Sequence, residues 1–242
     1  LDKVKKKKAI VIFSISVLIS LGIIFKSETV YLYELTKIII KIKRTNADIT
    51  DYKYFDNITI PKSKNPKSWP LHNNFNEVIS TKKLDSTHKD LGTVAFLIIK
   101  NDSIWYENYY EGYNKNSLSN SFSIAKSIVA ALLGRSINEG YLSGLDHKVG
   151  DFIPEFSTGL AQNLTVGDLS SMSSGMKWTE DYKNIFGVTA RAYVGTGLEK
   201  LIKSRPIISE PGISFEYLSG DTQLLAMTIE KATGKKISDL VS

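Results

Sequence analysis

Residues 121–140 read SFSIAKSIVAALLGRSINEG. The stretch opens on serines, runs through Ile, Ala, Val and Leu without a proline, and stops at Gly140, the signals of one helix. Its middle is apolar nearly all round, so the sequence predicts a central, buried helix rather than a surface one. Ser123 and Lys126 stand three apart at its start, on a shared face. A serine hydroxyl attacks poorly until a base takes its proton, and a desolvated lysine with a lowered pKa can be that base. The helix N-terminus adds positive potential and a backbone N–H for a developing oxyanion.

Spacing alone proves little. With 27 Ser and 27 Lys in 242 positions, chance gives about three Ser-x-x-Lys matches, and the chain holds four, at 80/83, 86/89, 123/126 and 174/177. Ser80 and Ser86 lie in a polar stretch, and Ser174 precedes Gly175 in an expected turn. Ser123 alone opens an apolar helix directly after a strand pair. That pair is residues 93–100 (TVAFLIIK), the turn residues Asn101 and Asp102, and residues 104–113 (IWYENYYEGY), a hairpin pattern. The plainer reading of Ser123 is a helix-capping serine with a lysine reaching for solvent. A lysine set among Ile, Ala and Val on a buried helix is costly without a purpose.

The blocks SFSIAKSIVAALLGRSINEGYL, LDHKVGDFIPEF, LTVGDLSSMSSGMKWTEDY and PGISFEYLSGDTQLLAMTIEKATGKKIS occur in that order. Together they resemble the serine β-lactamase-related hydrolases: class C β-lactamases, penicillin-binding DD-peptidases, related esterases and 6-aminohexanoate-dimer hydrolase. WTEDY and FEYLSGDTQLL are most similar to the last of these. The resemblance covers roughly 93–242 and implies an α+β fold, an antiparallel sheet packed against a helical region with the 121–140 helix at its centre.

Carried over by that resemblance, Ser123 is the acylating nucleophile and Lys126 its base or proton relay. Tyr217-Leu218-Ser219 matches the family's second motif, with Tyr217 passing the proton to the leaving group and Ser219 assisting by hydrogen bonding. Tyr182 is implied to line the cleft entrance and contact substrate. Tyr182-Lys183-Asn184 stays open as a rival second motif, and Tyr217 as a core aromatic with a satisfied hydroxyl. Tyr106-Glu107-Asn108 precedes the nucleophile, the wrong order, and reads as strand surface. The family's third motif, Lys or His followed by Thr or Ser and Gly, has no match before Ser242. The chain is therefore expected to be a truncated part of a longer protein, itself inactive or poorly folded.

Net charge is +6, but residues 1–8 carry +4 and residues 26–44 carry +3, which leaves the body near neutral. A nucleic-acid module would concentrate positive charge on its folded body, so no nucleic-acid partner is expected. Residues 9–25 are uncharged and span roughly 26 Å as a helix, slightly short of the hydrocarbon layer. No small-residue cleavage site follows, so a transmembrane signal-anchor is favoured over a cleaved signal peptide, with the bulk of the chain extracytoplasmic. Residues 29–44 could prolong that helix or lie along the bilayer surface.

The expected organisation is a basic cytoplasmic tail at 1–8, the anchor at 9–25, a juxtamembrane segment and linker at 26–75, and the hydrolase domain at 76–242. With no Cys, disulfides and thiolate chemistry are excluded. His72, His88 and His147 sit apart in polar stretches without metal-ligand spacing, so no metal or other cofactor is expected. The function so read is a serine hydrolase of small amides, esters or peptides. Its rival is a penicillin-binding-like module that captures a cell-wall peptide or β-lactam without turnover.

Overall fold

The computed structural model of this chain describes residues 26–241. The basic tail and the anchor expected at 9–25 lie outside the described residues. Among the described residues, no helix is long and apolar enough to cross a membrane. The chain divides into two compact units, one of residues up to Asp56 together with Ser121–Val241, the other Asn57–Asn120. The first unit opens with helix α1, Lys26–Ile42. Tyr31, Leu35 and Ile38 recur on one face of α1 and are buried within the protein. Past α1, Asp51 is fully buried, bonded by Arg44 and by the backbone N–H of Asp48 at 2.9 Å. Residues expected as juxtamembrane linker up to Asp56 thus belong to the same unit as the 121–140 helix.

In the second unit, helix α2 is Lys82–Leu91, capped by the Thr81 side chain and ended by Gly92 in the left-handed conformation. Strands β1, Ala95–Lys100, and β2, Ser103–Tyr109, pair antiparallel with an irregularity between Ile98 and Ile99. Asn101 and Asp102 make the turn at positive φ, as a two-residue hairpin loop with the strands' twist requires. The hairpin is where the sequence places it. His88 is not in polar surroundings: it is buried, its ring 4.6 Å from Phe96 and 4.8 Å from Tyr110.

The rest of the first unit is helical. Helix α3 is Ile124–Asn138, followed by three short 3-10 turns and by α4, Val166–Ser170, which starts on a Thr165–Asp168 capping box. Then come α5 (Val188–Val194), α6 (Leu198–Lys203), α7 (Ser219–Thr233) and α8 (Ile237–Val241). Helix α7 is the hub and packs against α3, α4 and α6, while α5 packs against α1. Leu224, Leu225 and Ile229 of α7 join Leu132, Leu133, Ile153, Phe156, Leu164 and Ile202 in one core. Each such buried side chain contributes about 1.5–3 kcal/mol.

Helix α3 departs from the expected all-round burial. Val129, Leu132, Leu133 and Ser136 are buried, whereas Ile124 is 70% and Ile128 44% exposed. The sequence looked apolar on every side because Ala125, Ala130, Ala131 and Gly134 fill the other faces, and such small residues cost little in water.

Candidate active site

The chain enters α3 through a strained residue. Phe122 has φ 43°, the left-handed region that a bulky side chain rarely occupies. Its ring stacks near Tyr193, at 6.5 Å between centroids. Ser123 then takes the N-cap position, but its side chain makes no capping bond. Its Oγ instead accepts from Lys126 Nζ at 3.0 Å and from the Tyr217 hydroxyl at 2.7 Å. Lys126 is half-buried, and its amine lies 5.3 Å from the centre of the Tyr217 ring. Ser123, Lys126 and Tyr217 are therefore brought together across 94 positions of sequence. Tyr217 is 41% exposed, which removes the reading of it as a core aromatic.

Tyr182 and Ser219 are gathered by a residue the sequence reading did not single out. Glu180 accepts from Trp178 Nε1 at 2.9 Å, from the Tyr182 hydroxyl at 2.6 Å, from Ser219 Oγ at 3.2 Å and from the Ser219 backbone N–H. The last contact sets a carboxylate on the first turn of α7, where orphan N–H groups and the helix dipole favour an anion. The hydrogen bond to Glu180 pushes the Tyr182 pKa up to about 12, with burial adding to it. Tyr182 is thus a neutral donor to Glu180, and its hydroxyl bonds there while that of Tyr217 bonds Ser123. Ser219 likewise spends its hydroxyl on Glu180. Glu180 stands inside the WTEDY block, but nothing in its spacing marked it as the acceptor that joins this loop to α7.

A second unanticipated pair lies beneath the Tyr217 turn. Ser174 and Asp221 are both fully buried, and Ser174 Oγ donates to Asp221 Oδ1 at 2.5 Å. The same oxygen of Ser174 accepts from Met176 N–H at 3.0 Å. Gly220 permits this packing, because a Cβ there would sit 2.7 Å from the Trp178 ring and 2.8 Å from Met176 Sδ. Gly220 lies in the first turn of α7, where close approach is the requirement.

Asp221 Oδ2 has no hydrogen-bond partner. Burial raises the Asp221 pKa from 3.8 to about 7, against the opposing bond from Ser174. The folded state therefore holds a proton that the unfolded chain releases near pH 4. Stability falls by about 1.4 kcal/mol per pH unit from there to pH 7 and is level above it. Asp221→Asn keeps an acceptor for Ser174 and removes the titration. Between pH 5 and pH 8 the native protein is expected to lose about 3 kcal/mol more than the variant in urea unfolding. Parallel curves for the two proteins would exclude this origin of the pH dependence.

A search of curated proteins finds no relative of this chain. Solved structures share its fold. A protein described as a 6-aminohexanoate-dimer hydrolase from Bacillus anthracis matches with TM-score 0.58 and 22% identity, over 71% of this chain and 50% of its own. A protein described as a β-lactamase from Bacteroides dorei DSM 17855 matches with TM-score 0.50 and 21% identity, over 64% and 46%. A class C β-lactamase in complex with cefoxitin matches with TM-score 0.50 and 20% identity, over 66% and 45%. The chain spans about half the length of these structures. Residues 81–242 match the family model described as Beta-lactamase, and with two thirds of its length under that match the chain belongs to the β-lactamase family.

Proposed function

We propose that the whole protein is a serine hydrolase that opens small amides or esters through an acyl-enzyme on Ser123. The observation that supports this is Ser123 Oγ within hydrogen-bond reach of both Lys126 Nζ, at 3.0 Å, and Tyr217 Oη, at 2.7 Å. In the reaction the Ser123 hydroxyl gives its proton to a neutral Lys126 amine, directly or through the Tyr217 phenol. The freed oxygen forms the bond to the substrate carbonyl carbon. The carbonyl then re-forms as the bond to the amine or alkoxide breaks, and Tyr217 or Lys126 returns the proton to that leaving group. Water repeats the sequence on the ester and restores Ser123.

Substrates of this class are peptides, β-lactams, D-amino-acid derivatives and oligoamides. The charge pattern of residues 1–25 supports an anchored protein whose catalytic unit faces the extracytoplasmic side. Treatment with a fluorophosphonate, followed by peptide mapping, is expected to find one adduct, on Ser123. An unlabelled Ser123, or an adduct elsewhere, would refute the assignment. One equivalent of acylation by a β-lactam without further turnover would instead support the capturing module.

A further inference from the structure

A cleft of about 900 Å³ opens between α1, α5 and α6, on elements other than those that carry Ser123. Its lining includes apolar side chains, Val30, Phe186 and Leu201, and cationic ones, Arg191, Lys200 and Arg205. These cations are not equivalent. Arg191 is already neutralised, holding Glu28 through two bonds at 3.1 Å and 2.5 Å, and its guanidinium lies over the Tyr31 ring at 4.5 Å. Lys200 makes no ion pair with any described residue. Among the described residues Arg205 Nε is buried with no hydrogen-bond partner, and its guanidinium reaches Ser204 Oγ at 3.2 Å. The terminal nitrogens of the Arg205 guanidinium keep donor capacity beyond that one bond, which a ligand acceptor at the cleft wall would use. Lys203, on the same short helix, shows the contrast: it is ion-paired with Glu155 and Glu199 and does not line the cleft.

We propose that this cleft is a binding site for an amphiphilic oxyanion, a phosphate or carboxylate borne on an apolar body, with Lys200 and Arg205 taking the charge. With Arg191 paired to Glu28 and neither Lys200 nor Arg205 in an ion pair with a described residue, the cleft favours an anion over a cation. The apolar wall disfavours a bare, fully hydrated anion. The volume suits a molecule of ordinary small-ligand size.

Calorimetric titration of the protein with hexyl phosphate tests this, with inorganic phosphate and hexanol as the two half-ligands. Hexyl phosphate is expected to saturate one site per chain and to bind at least about tenfold more tightly than either half. Lys200→Ala and Arg205→Ala are each expected to weaken it by about tenfold, and Lys203→Ala to leave it unchanged. Lys200 is exposed, so its variant folds even if that of Arg205 does not. Co-sedimentation with phosphatidylglycerol against phosphatidylcholine vesicles identifies the source: Lys200-dependent binding to the anionic vesicles supports a lipid-borne ligand, and its absence beside hexyl phosphate binding supports a soluble one. No saturable binding of hexyl phosphate, or equal binding by the native protein and Lys200→Ala, would overturn the proposal.

Discussion

Replacing Ser123 by alanine is expected to lower turnover of any hydrolysed ester or amide by on the order of 10⁶-fold in the whole protein. The reason is the absence of a substitute: the Ser123 oxygen is the atom on which the Lys126 amine and the Tyr217 hydroxyl converge. A water in the vacated space would lack both the fixed position and the covalent intermediate. Stability is expected to change by less than about 1 kcal/mol, since Ser123 is exposed and its side chain caps no helix. Steady-state kinetics beside urea unfolding separates the two effects. A variant that keeps more than a few per cent of native kcat would show that the nucleophile is another group.

The second large effect concerns the proton. Lys126→Ala is expected to reduce the acylation rate by about 10²- to 10⁴-fold, with Ser123 still in place. Lys126→Arg is the sharper variant. A guanidinium keeps the positive charge but cannot accept a proton at accessible pH, so it is expected to be as slow as alanine. Stopped-flow acylation by a chromogenic ester distinguishes the outcomes. Near-native rates in the arginine variant would mean that residue 126 supplies charge alone, leaving Tyr217 as the base.

The hairpin and helix α3 were legible because their signals are local. Apolar runs, Asn-Asp turn residues and the stop at Gly140 each act within a few residues. Ser123 and Lys126 share one turn, and their proximity follows from helical spacing. Tyr217 needed the resemblance, since no periodicity links positions 94 apart. Glu180 and the Ser174–Asp221 pair escaped because acidic and hydroxyl residues are common on surfaces. Only tertiary packing turns these three into acceptors and donors inside the fold.

The seating of α1 has a mechanical consequence. Tyr31, Leu35 and Ile38 fasten this helix to the body that carries Ser123, so it is a stiff bracket and not a leash. The two Arg191–Glu28 bonds hold the first turn of the helix to the same body as well, so α1 has no free arm.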